Sequence, residues 1–271
     1  MYRHHLELAL ILVQAVSGKI SPRIIISMPP RSGKSELCSH WFPVWFLNLF
    51  PHLNVLLASY ESDYAARWGR KVRNTIQTNQ SSLRVRISDD SRAADRWETS
   101  LGGGMSTAGT KAALTGKGGH CLIIDDPHKD RREAESPAIR EQIWDWWTGT
   151  ARPRLEPTPL TPNGVVIVIM TRWHEEDLAG RLKARKVDLD EESGHALPWI
   201  DFRLPAIAEE NDILGRKPGE ALWPEKYDLN SLQITRAEMS PYDWASEYQQ
   251  SPVPKSGNLF RREYFQPIEV I

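Results

Sequence analysis

Cysteine is nearly missing from the chain. Cys38 and Cys121 are its only two in 271 residues. Two thiols build no disulfide framework, and they do not stand at metal-ligand spacing, which fits a reducing compartment. His174 likewise has no His or Cys partner at ligand spacing and reads as a loop residue. Long apolar runs are lacking too. Leu8 to Val13 is too short to span a bilayer. Arg3, His4 and His5 precede it, but no small-residue cleavage site follows, so neither a signal peptide nor a membrane segment is expected. Neither charge sign is in excess, with 34 Lys and Arg against 35 Asp and Glu. A generally basic nucleic-acid binder is thereby excluded, and any DNA contact must be a local patch. No internal repeat is evident.

What is present is enough chain for a full core, as one large domain with at most a small appendage. Eleven tryptophans suit core or interface anchors. Residues 2 to 17 read as an amphipathic helix with Leu6, Ala9, Leu10 and Val13 on its apolar side. Apolar strands are expected at Arg23–Ser27, Asn54–Ser59, Cys121–Asp125, Val165–Met170 and Trp199–Leu204. Helices are expected at 35–50, broken or kinked at Pro43, and at 61–78, 136–147, 175–186, 227–239 and 241–250. Residues 83–110 read as short strands and turns, including Arg84–Ile87 and Trp97–Thr99. The helix at 61–78 carries Arg67, Arg70, Lys71 and Arg73. They form either a solvated face or a contact for DNA or another subunit. Residues 188–195 are acidic and loop-like, and 209–219 form a polar linker.

The chain is organised around Ile24-Ile25-Ile26-Ser27-Met28-Pro29-Pro30-Arg31-Ser32-Gly33-Lys34-Ser35-Glu36. A β-branched run stops at a turn, Gly-Lys-Ser follows, and a helical pattern begins. Alone, Gly-Lys-Ser could be a chance surface turn. Its context instead gives the strand, loop and helix of a nucleotide phosphate cradle. Backbone N–H groups and the positive end of the helix face the β- and γ-phosphates. On this reading Pro30, Arg31, Ser32, Gly33, Lys34, Ser35 and Glu36 bind ATP. Gly33 allows close approach, Lys34 sets an ammonium on phosphate oxygens, and Ser35 ligates Mg²⁺. Met28 stands where the consensus wants glycine. The second motif is Cys121-Leu122-Ile123-Ile124-Asp125-Asp126-Pro127, a buried parallel strand ending in acids at the sheet edge where ligands bind. Asp125 is the expected Mg²⁺ acid, against the plainer reading of a strand-to-turn cap. Asp126 falls where such ATPases carry the acid, often Glu, that polarises the attacking water. A third strand ends in Thr171-Arg172-Trp173-His174, where a hydroxyl can sense the γ-phosphate.

Together Pro29–Ser35, Ala58-Ser59-Tyr60, Thr115-Gly116-Lys117-Gly118, Ile123–Pro127, Met170–Leu178 and Glu247–Pro252 resemble the large terminase subunit of tailed double-stranded DNA bacteriophages. That resemblance runs in order from about residue 20 to about residue 260. It implies an α/β P-loop NTPase fold of the RecA-like, additional-strand catalytic-Glu type: a mostly parallel sheet flanked by helices, with a small helical C-terminal lid. The division it suggests is an ATPase core at 1–208, a lid at 209–252, and a linker at 253–271 toward a nuclease domain that this chain lacks. It implies a packaging motor that uses ATP and Mg²⁺ to drive double-stranded DNA into a procapsid in the host cytoplasm. The implied partners are portal protein and small terminase subunit, with a homo-oligomeric ring on the procapsid and a monomer in isolation. By position, Lys34, Asp126, Arg31 and Thr171 are its catalytic residues, and Ser35 and Asp125 its metal ligands. Glu175 or Glu176 is the alternative source of the water-polarising acid. Arg31 is the cis candidate for an arginine finger; Lys117, Arg67, Arg70 and Arg73 are the others. Competing readings are a RecA-like helicase or translocase outside packaging, which lacks room here for a second lobe, and a non-hydrolysing, nucleotide-gated assembly protein. A metabolic kinase is disfavoured because no acceptor site is visible.

Overall fold

The structure, a computed structural model, describes residues 2–90, 93–112, 114, 118–185 and 197–253. Lys117, most of the Thr115–Gly118 motif, the acidic 188–195 stretch and the tail from 254 lie outside the described residues. Strands β1 (Arg23–Ser27), β2 (Asn54–Ser59), β3 (Arg96–Glu98), β4 (Gly104–Gly109), β5 (Cys121–Asp125), β6 (Val165–Met170) and β7 (Ile200–Arg203) form one seven-stranded sheet in the order β3-β4-β2-β5-β6-β1-β7. Only the β3–β4 pairing is antiparallel. β5 and β6 are buried at every position because both faces of the sheet are covered. β6 separates the strand leading to the phosphate loop from the strand ending in the two acids. This is the additional-strand arrangement of a RecA-like sheet.

On one face lie α1 (Arg3–Val16), α2 (Phe42–Leu49) and α3 (Ser62–Thr78), packed through Leu8, Leu12, Phe46, Leu47, Val72 and Ile76. On the other, α5 (Pro137–Trp146) and α6 (Leu178–Ala184) bring Ile143, Trp146, Leu178 and Leu182 against Ile25, Leu122 and Val168. The short α4 (Arg131–Glu135) precedes α5. A smaller cluster of Ala206, Ala221, Leu232 and Trp244 joins α7 (Leu229–Glu238) and α8 (Pro241–Asp243). Here Trp244 stacks on Tyr248 at 4.8 Å. Among the described residues no helix is long and apolar enough to cross a membrane.

Three expectations change. α1 buries Leu8, Leu12, Ala15 and Val16, while Leu6, Leu10 and Val13 are 52%, 50% and 41% exposed. The helix is apolar on two sides, and periodicity alone cannot say which side meets the sheet. Arg84–Ile87 forms no strand; Ile87 makes only an isolated bridge to Thr99. α6 starts at Leu178 rather than Glu175, because the Asp177 carboxylate accepts the Gly180 N–H at 3.0 Å and caps the helix there. The break at Pro43 takes a specific form. A π-helical stretch, Glu36–Trp41, runs into α2, with Pro43 in its first turn, where a missing N–H costs little.

Candidate functional site

The chain leaves the C-terminal end of β1 and turns back on itself through left-handed backbone at Arg31 (φ 57°) and Gly33 (φ 89°). Gly33 is needed on two counts. Its φ is one that L side chains avoid, and a Cβ there would stand 2.5 Å from His5 Nε2. The loop is held from outside through its carbonyls. His5 Nε2 of α1 donates to Ser32 O at 2.8 Å, and Lys226 Nζ, just before α7, donates to Arg31 O at 2.8 Å. With these carbonyls held outward, backbone N–H groups are left to face an anion. Ser32 Oγ is buried without a hydrogen-bond partner. An orphaned donor in such a cradle fits a phosphate ligand.

Side chains from three strand ends converge on the loop. Lys34 is buried and donates from Nζ to Thr171 Oγ1 at 2.9 Å. Ser35 Oγ donates to Asp125 Oδ1 at 2.9 Å. Asp126 adopts φ 46°, a conformation Asp tolerates better than most residues. It accepts the Thr171 N–H at Oδ1, 3.1 Å away. Lys34, Ser35, Asp125, Asp126 and Thr171 thus meet at one sheet edge. Glu36 joins only through its backbone. Its carboxylate turns away to Lys71 Nζ (2.5 Å) and His40 Nδ1 (2.8 Å). The Arg31 side chain is exposed. Glu175 and Glu176 are exposed as well, and Glu176 pairs with Arg140 at 3.1 Å; neither is brought to the acids.

Asp125 is fully buried, and its carboxyl is pushed up to about 7, first by burial and then by the charge of Asp126. A buried carboxylate beside a serine hydroxyl is a hard-oxygen donor set. It fits Mg²⁺, which keeps several waters and takes its other ligands from phosphates. No cluster of three or more His, Cys, Asp or Glu that could hold a metal occurs among the described residues.

Several supporting contacts escape sequence reasoning, even where the residues fall within the quoted motifs. Ser39 Oγ donates to the second Asp125 oxygen at 2.8 Å. Its signal was its place four residues after Ser35. Tyr60 and Tyr64 stack at 5.1 Å beside the acids, whose charge, after burial, helps push the Tyr64 hydroxyl up to about 12. Behind Thr171, Arg172 and Asp177 form a buried ion pair at 2.9 Å. The Arg172 N–H donates to Gln250 Oε1 at 3.0 Å, and Tyr242 Oη donates to Trp173 O at 3.4 Å. The segment that begins at Thr171 is therefore bonded to the elements that follow β7.

Known proteins share this fold. The Thermus phage P74-26 large terminase ATPase domain superposes with a TM-score of 0.55 at 15% identity, across 86% of this chain and 89% of that one. The large terminase of bacteriophage HK97 gives 0.52 at 13% identity, across 88% of this chain and 48% of that one. The large terminase of a thermophilic bacteriophage gives 0.51 at 12% identity, across 92% of this chain and 52% of that one. The chain thus spans about half the length of these last two proteins. No curated protein sequence matches it. The family described as terminase large subunit, T4likevirus-type, N-terminal, matches residues 25–267, an interval holding the phosphate loop, both acids and the Thr171 segment. The chain therefore belongs to the T4likevirus-type terminase large subunits, of which it matches the N-terminal part.

Proposed function

We propose that the chain is the ATP-hydrolysing motor domain of a terminase that drives double-stranded DNA into a procapsid. The observation that carries this reading is the meeting of Lys34, Thr171 and Asp126 through hydrogen bonds of 2.9 and 3.1 Å at the mouth of the phosphate loop. ATP lays its phosphates along the N–H groups of residues 32–36. Lys34 exchanges its bond to Thr171 for the γ-phosphate oxygens, and Arg31 adds charge from the loop rim. Asp126 orients the water that attacks the γ-phosphorus in line and accepts its proton as the bond to the β–γ bridging oxygen breaks. Ser35 and Asp125 would hold Mg²⁺, Asp125 directly or through water, and the ion would supply positive charge to the phosphates. Phosphate loss then returns Lys34 to Thr171, restoring the 2.9 Å bond. The bonds from Arg172 and Trp173 to Gln250 and Tyr242 carry that change outward.

The separate cluster around Trp244 supports a division into an ATPase core at 1–208 and a lid at 209–252. The family membership supports duplex DNA, portal protein and small terminase subunit as partners, with a ring assembled on the procapsid in the host cytoplasm. The reading is tested by steady-state turnover of Lys34→Ala. Losing the charge contact is expected to lower the rate by about 100-fold or more with the circular dichroism spectrum unchanged. Turnover near the wild-type rate would overturn the site.

A further inference from the structure

At the opposite end of the sheet from the phosphate loop, the starts of β1, β6 and β7 leave an open cleft of about 300 Å³. Arg23, Arg152 and Arg185 line it, above a floor that includes Trp147 and Trp199. Arg23 is fixed in the wall. Its Nη1 donates to Gly164 O and its Nη2 to Asn163 O, both at 2.8 Å. Its guanidinium is pushed down to about 10, by burial first and by the charge of Arg152 second. Like charges have thus been gathered here against their own repulsion. Arg152 and Arg185 are exposed at the rim. Arg185 lies over Trp144, 4.6 Å from the ring centre, which leaves its N–H edge available.

The contrast with neighbouring cations is informative. On α6, Arg181 pairs with Glu141 at 2.8 Å and Lys183 with Asp201 at 3.0 Å. Among the described residues no carboxylate pairs with Arg23, Arg152 or Arg185. Three arginines without a carboxylate partner among the described residues thus share one cleft. A small enclosed anion would need walls all round, whereas this cleft is open and its charges come from separate segments. That suits a polyanion offering successive phosphates. The tryptophans of the floor are buried, with Trp147 4% and Trp199 9% exposed. They offer no face for bases to stack on, so the fit is to a duplex backbone rather than to a single strand.

We propose that this cleft holds the sugar–phosphate backbone of duplex DNA, with Arg152 and Arg185 on phosphates and Arg23 shaping the wall between them. The choice of DNA rests on the translocating reading above; the presence of a polyanion site does not. The test is fluorescence anisotropy of a labelled mixed-sequence duplex against the whole chain, titrated across salt concentrations, for wild type and for Arg152→Gln/Arg185→Gln. The double variant is expected to bind about tenfold or more weakly at low salt. Its plot of log K against log salt should be shallower by about 2, near 0.9 for each lost phosphate contact. Its basal ATP turnover should be unchanged, since neither residue is near the phosphate loop. Equal affinity and equal salt slope in the two proteins would overturn the proposal. Displacement of the duplex by polyglutamate of matched charge, or by inorganic phosphate at equal phosphate concentration, would replace DNA with an acidic protein segment or a small anion. A wild type that hydrolyses ATP but holds no duplex sinks the cleft and leaves the ATPase. A wild type that holds duplex through these arginines but hydrolyses nothing does the reverse.

Discussion

At the scale of single residues, the informative position is Asp126. Terminase-like ATPases often carry glutamate there, so a one-methylene extension looks harmless on sequence grounds. The geometry argues otherwise. Asp126 holds φ 46°, where short side chains that bond locally are favoured. Its Oδ1 already reaches the Thr171 N–H at 3.1 Å. A longer acid at the same Cα would overshoot that bond and press on the segment carrying Lys34's partner. Asp126→Glu is therefore expected to lower turnover by about tenfold, and Asp126→Asn by about 100-fold or more, with Mg-ATP binding kept in both. Asp125→Asn should act differently, weakening Mg²⁺ binding by removing a ligand. Pre-steady-state phosphate release and a Mg²⁺ titration separate the two. Normal hydrolysis by Asp126→Asn would mean that another acid orients the water, although Glu175 and Glu176 are turned away from the site.

At the scale of elements, the connection between β6 and α6 shows how a short polar segment is fixed. Asp177 is 0% exposed and Arg172 4%. The Asp177 carboxylate also accepts the N–H groups of Trp173 and Gly180, at 3.3 and 3.0 Å. One side chain thus caps α6, neutralises a buried guanidinium and shapes the loop after Thr171. Asp177→Ala strands the Arg172 charge and should cost about 3–5 kcal/mol. Asp177→Asn keeps part of the cap and should cost less. Urea unfolding midpoints measure both, and a loss below about 1 kcal/mol in the alanine variant would contradict this account. The sequence marked this segment only as the Met170–Leu178 stretch of the family resemblance; the cap and the buried ion pair at Asp177 were not legible in it. β1, β2, β5 and β6 were legible because buried parallel strands are written as near-continuous apolar runs between turn residues. The side chains that meet at the candidate site were legible because the phosphate loop and the acid-ended strand are local signals. The supporting groups arrive from far along the chain. Lys226 is 195 residues from Arg31, and Gln250 is 78 from Arg172. Spacing carries no trace of such contacts. Arg84–Ile87 shows the same lack from the other side, since a strand-like run needs a partner and found only a bridge to Thr99.

At the scale of the whole molecule, the charge at the site is incomplete. Phosphoryl transfer leaves negative charge on the γ-oxygens. On the proposed mechanism Lys34 covers part of it, and a metal at Ser35 and Asp125 would cover more. An arginine finger, in cis or from a neighbour, adds about 10³–10⁵ in rate. Arg31 is the arginine within the loop. Its carbonyl is tied to Lys226 at 2.8 Å while its side chain stays exposed, so it can turn toward phosphate only from the rim. The arginines of α3 differ among themselves. Arg73 donates to Ala93 O at 2.9 Å and is committed within its own subunit. Arg70 lines a separate groove between α3 and β4. Arg67 is exposed and lies near Tyr60, whose hydroxyl is pushed up by burial first and then by Glu61, with the Arg67 charge working against that rise. It is therefore the candidate for a finger lent to a second copy. The domain is therefore expected to be a slow ATPase whose specific activity rises with its own concentration, because dilute molecules lack a neighbour. Arg67→Ala should flatten that rise while leaving the dilute rate unchanged. Arg31→Ala should lower the rate at every concentration. Mixing wild type with Lys34→Ala should change turnover non-linearly with the mixing ratio, since an inactive copy still lends its arginine. Specific activity that stays flat over a hundredfold range of concentration, in a protein that remains monomeric by light scattering, would count against the neighbour's finger. Arg31 would then be left to act alone.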